Sequence, residues 1–153
     1  MLKVGDKAPD FKLKDETGRE ISLSSFRDKK VVIYFYPKDD TPGCTKEACS
    51  IRDVYDDILE AGAVVIGISK DDARSHERFK SKYNLPFYLL SDPETEVIKQ
   101  YGAWQEKKMF GKTYMGIARI TYIVDGEGIV RKVYSKVKPG THGEELLTDL
   151  RNI

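Results

Sequence analysis

Cys44 and Cys49 are the only cysteines in the 153-residue chain, and their setting suits thiol chemistry. Cys44 closes the stretch Pro37-Lys38-Asp39-Asp40-Thr41-Pro42-Gly43-Cys44, which leaves an apolar run at residues 31–36 and leads into a helical segment carrying Cys49. A thiol in the first turn of a helix faces unpaired backbone N–H groups and the positive end of the helix dipole. Both favour thiolate over thiol, and the thiolate is the nucleophile. Thr41 adds a hydroxyl three residues upstream, where it can meet whatever the sulfur attacks, while Pro37, Pro42 and Gly43 shape the turn.

The spacing of the two cysteines carries a second inference. Residues five apart on an ideal helix are separated by about 7.5 Å in rise and roughly 140° in direction, which puts their Cα atoms about 8 to 9 Å apart. A disulfide needs less than roughly 7 Å, so Cys44 and Cys49 bond only if the intervening helix opens. That suits a bridge formed transiently during turnover better than a permanent staple. The competing reading is a pair of buried, inert thiols. A zinc centre would need two further ligands, and the only histidines, His76 and His142, are expected on separate surface segments; no metal is assigned.

The elements that must position these residues follow from hydrophobic patterning. Residues 31–36 and 64–68 are nearly continuous apolar runs, as expected of central strands covered on both faces, and predict neighbouring parallel strands. Strand-like runs at 63–69 and 87–90 alternate with helix-like ones at 46–61, 73–83 and 94–101, the rhythm of an α/β sheet. Residues 119–124 and 128–134 flank Asp125-Gly126-Glu127 and predict an antiparallel hairpin. Residues 11–13 and 21–23 about Asp15-Glu16-Thr17-Gly18 predict another. A closing helix is expected over 141–153, with Thr141 as N-cap and Glu144 completing a capping box. Trp104, Met109, Phe110, Tyr114 and Met115 are read as core packing, with a rim around the reactive thiol as the alternative.

Length bounds this to one expected domain, residues 1–153. With 26 basic and 25 acidic residues the net charge is +1, which gives no field for nucleic acid or an anionic membrane. No apolar run approaches the roughly 20 residues of a membrane span, and the first residues lack the apolar core of a secretory signal; a cytoplasmic protein is expected.

The motifs resemble those of peroxiredoxins. Pro37 to Cys44 fits Pro-x-x-x-Thr-x-x-Cys, and Cys44-Thr45-Lys46-Glu47-Ala48-Cys49 is similar to the C-x4-C of the bacterioferritin-comigratory-protein, or thioredoxin-dependent Q-type, branch. Gly5 to Phe11 resembles that family's opening, and Trp104 to Arg119 its approach to the active-site arginine. The resemblance implies an α/β thioredoxin-like fold with an N-terminal β-hairpin extension and a central mixed sheet flanked by helices. It implies a thiol peroxidase acting on hydrogen peroxide and organic hydroperoxides without a cofactor. Cys44 would be oxidised to a sulfenic acid, Cys49 would resolve it as an intramolecular disulfide, and thioredoxin or a glutaredoxin-like protein would reduce that bond.

By the same resemblance Thr41 is catalytic, Pro37, Pro42 and Gly43 bind substrate, and Arg119 points at Cys44 and the peroxide. From the residues alone Arg119 reads as an ordinary strand-end arginine, and the resemblance reverses that reading. Glu47 either orients Arg119 or caps charge in the first helical turn. A monomer is expected. The rival functions are a general thiol-disulfide oxidoreductase, for which C-x-x-C is the better spacing, and a redox-dependent binding module.

Overall fold

The computed structural model describes residues 1–153. Its centre is a seven-stranded mixed sheet, built from β1 (Lys12–Lys14), β2 (Glu20–Ser22), β3 (Lys30–Phe35), β4 (Ala63–Ser69), β5 (Tyr88–Ser91), β8 (Ile120–Val124) and β9 (Val130–Tyr134). β6 (Trp104–Met109) and β7 (Lys112–Ile117) form a separate hairpin. The helices are α1 (Pro42–Asp53), α2 (Tyr55–Glu60), α3 (Ala73–Tyr83), α4 (Glu96–Gln100) and α5 (His142–Arg151).

In the main sheet the order is β2-β1-β5-β4-β3-β8-β9. β3 runs parallel to β4 and β4 to β5, whereas β8 pairs antiparallel with both β3 and β9. Every residue of β4 is buried, as its unbroken apolar run requires of a strand covered on two faces. Val32, Tyr34 and Tyr36 pack with α1, α2, α3 and α5 on one face. Ile33 and Phe35 point the other way, into a cluster with Phe11, Ile21, Val97, Ile98 and Tyr122 from the N-terminal segment, α4 and β8. Each fully buried Ile or Phe contributes about 1.5–3 kcal/mol, so both faces hold β3 in place. Tyr34 lies opposite Gly67 in register, and a Cβ at Gly67 would stand 2.8 Å from the tyrosine ring. Glycine is what lets that ring lie across the central strands.

Several expectations are corrected. The helix read over 46–61 is two: it starts at Pro42 and breaks at Val54, whose backbone (φ −116°, ψ 11°) leaves the helical region. The strand at 87–90 and the helix at 94–101 shift to Tyr88–Ser91 and Glu96–Gln100. Thr141 makes no capping-box bond, because it ends a 3-10 turn (Pro139–Thr141) and its own backbone (φ −121°, ψ 3°) does not aim the hydroxyl at the helix. Of the aromatic and methionine cluster only Trp104 packs against the core, half-buried; Met109, Phe110, Tyr114 and Met115 are exposed on the β6–β7 hairpin, Phe110 at 96%. A two-stranded ribbon has no second layer to cover it, so alternation there does not imply burial.

Both histidines are fully buried rather than on the surface. Each fills an inward position by finding polar partners, His76 against Asp39 and His142 against Thr121 and Glu145.

Candidate active site

β3 delivers the chain to residues 37–41, and a buried polar network fixes that loop. The Tyr36 hydroxyl donates to Asp39 Oδ1 (2.6 Å), and the Ser75 hydroxyl donates to Asp39 Oδ2 (2.8 Å). Asp39 N–H donates to Asp71 (2.9 Å). His76 Nδ1 lies 2.7 Å from Asp39 Oδ2, while its Nε2–H donates to the Leu90 carbonyl (3.1 Å). Asp39, Asp71 and His76 bring potential metal ligands within 4.8 Å of one another, but these hydrogen bonds already engage them. Asp40, with φ 55°, accepts from Lys82 and from the Tyr83 hydroxyl, which ties the outer side of the loop to α3 as well.

The loop ends at Thr41, whose hydroxyl donates to the Lys38 carbonyl (2.9 Å) and so keeps its lone pairs free to accept. Pro42 occupies the first helical position, where it has no N–H to lose and its ring presets φ. Thr45 N–H donates to the Thr41 carbonyl (2.8 Å), the first bond of α1, so the amides of Gly43 and Cys44 precede the helical ladder. Cys44 sits among these donors at 2% exposure, and both cysteines are free thiols. Pro37 is half-buried at the strand exit and Pro42 exposed.

Arg119 enters from the short segment between β7 and β8. Its Nη2 lies 3.5 Å from Cys44 Sγ, and its Nη1 donates to Glu47 Oε1 at 2.7 Å. Gly43 makes that approach possible, since a Cβ there would stand 3.0 Å from Nη2. Burial works against the guanidinium's charge, but Glu47 and Cys44 outweigh it and raise its affinity for the proton. Arg119 is therefore a fixed cation directed at the sulfur.

Glu47 is 0% exposed, and burial pushes its carboxyl up to about 7 against the opposing pull of Arg119. Its Oε2 has no hydrogen-bond partner and lies 3.9 Å from His142 Nε2. His142 in turn contacts Thr121 Oγ1 (2.9 Å) and Glu145 Oε1 (3.1 Å). Burial holds the imidazole below its usual range; Glu145 opposes this and Arg119 adds to it. The structure thus favours the orienting role for Glu47 over a simple charge cap. Its i+3 spacing from Cys44 is the signal available in the sequence. Nothing in the sequence marks His142, because its partners come from β8 and α5.

Comparison with known proteins adds to this geometry. The AhpC/TSA family model matches residues 4–133. The chain belongs to that family. Peroxiredoxin Bcp of Bacillus subtilis is 46% identical over 152 residues, covering 99% of this chain and 97% of that protein. The solved bacterioferritin comigratory protein of Xanthomonas campestris superposes with a TM-score of 0.88 at 34% identity, covering 93% of this chain and 90% of that one. PrxQ of Xylella fastidiosa gives a TM-score of 0.93 at 28% identity over 99% and 97% of the two chains. This peroxiredoxin therefore has the thioredoxin-like fold with a mixed central sheet, and it is a thiol peroxidase. No helix is long and apolar enough to cross a membrane.

Proposed function

We propose that Cys44 is the peroxidatic sulfur and that Arg119 and Thr41 hold the peroxide against it. The observation that carries this is the single guanidinium shared between Cys44 Sγ (3.5 Å) and Glu47 (2.7 Å). A thiolate attacking R–O–OH forms an S–O bond as the O–O bond breaks. The electron pair leaves on RO−, which takes a proton and departs as the alcohol, or as water when the substrate is hydrogen peroxide. Arg119 and the free amides of Gly43 and Cys44 supply fixed donors where that charge develops, and Thr41 accepts from the peroxide O–H. Pro37, Pro42 and Gly43 shape this binding pocket.

Cys49 then attacks the Cys44 sulfenic acid, water leaves, and an intramolecular disulfide forms after α1 opens. A dithiol protein, thioredoxin or a glutaredoxin-like donor, returns both thiols. Hydrogen peroxide and organic hydroperoxides are the proposed substrates, in keeping with the alkyl peroxide reduction activity of the X. campestris relative. The chain works as one domain, residues 1–153, as a cytoplasmic monomer.

One equivalent of peroxide added to reduced protein, followed by thiol-specific mass measurement, tests the assignment. The expected product is a Cys44–Cys49 disulfide in the wild type, a trapped Cys44 sulfenic acid in Cys49→Ser, and no reaction in Cys44→Ser. Oxidation that persists in Cys44→Ser would sink it.

A further inference from the structure

Lys107 is a cation that the mechanism above leaves unused. It lies on β6 of the β6–β7 hairpin, opposite Tyr114 in register, and its stem passes over Gly116, where a Cβ would come within 3.3 Å of the lysine Cδ. The missing side chain at Gly116 lets the lysine lie along the ribbon instead of standing out into solvent. Lys107 and Arg119 line the same cavity of about 540 Å³, together with Gln105, Ile120, Lys136 and Val137. No acidic residue lines that cavity, and Lys107 forms no salt bridge.

Displacement at oxygen runs in line, so the leaving oxygen is the peroxide atom further from sulfur. Arg119 joins the two places: its Nη2 lies 3.5 Å from Cys44 Sγ, and its side chain also lines the cavity that Lys107 lines, so an oxygen held by Arg119 on the far side from sulfur is directed toward that space. Arg119 can stabilise the growing charge but holds its own proton too tightly to give it up. An alkoxide leaving group is a strong base and needs a proton as the O–O bond breaks.

We propose that Lys107 is the general acid for the leaving group: as Cys44 sulfur bonds to the terminal oxygen, the Lys107 ammonium hands one proton to the departing RO−. The products are the Cys44 sulfenic acid, ROH and a neutral lysine, which regains its proton from water. Burial, with Arg119 adding to it, lowers the lysine from its ordinary value, against a smaller opposing pull from Cys44, and so eases the transfer. The proposal rests on Cys44 and Arg119 acting as described above.

The test is the single-turnover rate of Cys44 oxidation in wild type, Lys107→Met and Lys107→Arg, with peroxides whose leaving groups differ in basicity. Peracetic acid expels a carboxylate that needs no proton, whereas ethyl and cumene hydroperoxides expel alkoxides. Dividing each variant's rate by the wild-type rate for the same peroxide removes differences in fit. General-acid catalysis predicts that both variants slow the alkyl hydroperoxides roughly 10²-fold or more but peracetic acid less than about threefold. Equal slowing of every peroxide would overturn the proposal, as would rescue by Lys107→Arg, which keeps the charge but not the transferable proton, or unchanged rates throughout. If Lys107→Met fails to fold, the arginine variant decides by itself. Peracetic acid oxidation that still requires Cys44 in these variants keeps the peroxidatic assignment separate from the role of Lys107.

Discussion

Gly143, in the first turn of α5, lies flat against Ser50 of α1: its N–H donates to the Ser50 hydroxyl at 2.8 Å, and a Cβ on it would stand 2.1 Å from the Ser50 carbonyl oxygen. Ser50 is the residue after Cys49, so α5 clamps the turn that must move if Cys49 is to reach Cys44. The Arg52 guanidinium adds a second tether, donating to the Tyr83 carbonyl at 2.8 Å. Opening the helix between the two thiols therefore strains contacts with two other helices.

Ser50→Ala removes the hydroxyl that holds the Gly143 amide without adding bulk. The expected outcome is faster formation of the Cys44–Cys49 disulfide from the sulfenic acid, about three- to tenfold for a hydrogen bond worth about 1 kcal/mol. Stopped-flow separation of the two oxidation phases checks it. The first phase should keep its rate; a slower second phase would count against the clamp.

Arg119→Met should slow the first oxidation of Cys44 by about 10² to 10³, the usual cost of losing one preorganised donor to the developing charge. The same change leaves Glu47 buried without its partner, which makes a structural control necessary. Circular dichroism should show the fold retained, and Arg119→Lys should recover only part of the rate, since it cannot bridge Glu47 and sulfur with one planar group.

Glu47 gives a pH dependence with a definite sign. Its carboxyl titrates at about 7 in the folded chain against a reference value of 4.5, so between those values the folded chain binds more protons than the unfolded one. Its contribution to stability is therefore fully present below about 4.5 and is lost as pH rises through 7. Glu47→Gln should remove that part of the decline, on the order of 1–3 kcal/mol. Urea unfolding of both proteins from pH 4.5 to 8 measures the difference, and parallel curves would contradict it.

Asp39→Asn leaves the buried His76 facing an amide and unmoors the loop that carries Thr41. Leaving a buried hydrogen-bonding group without its partner costs about 1–3 kcal/mol, and each kcal/mol lowers the melting temperature by about 2–4 °C in a chain of this size. Calorimetry should show that loss together with slower Cys44 oxidation. Loss of stability with an unchanged oxidation rate would mean that the network supports the fold but not the site.

The sheet is legible because its central strands carry unbroken apolar runs, and β3 and β4 pair in parallel as that pattern implies. The placement of Cys44, Thr41 and Pro42 is legible because it is local, set by a helix start within a few residues of each. What stays hidden depends on distant chain segments. His76 reads as a surface residue until the fold sets it beside Asp39, and His142 until it meets Thr121 and Glu145. The hairpin misleads for the opposite reason: Met109, Phe110, Tyr114 and Met115 look like core, but no layer covers them.

The interruption at Val54 limits how far a disturbance can travel. If Cys49 leaves its place, the unwound turn meets a joint that is already non-helical, so α2 can keep Tyr55 and Ile58 seated in the core. The joint acts as a firebreak, leaving the redox cycle to disturb a few residues of α1 while the sheet beneath stays intact.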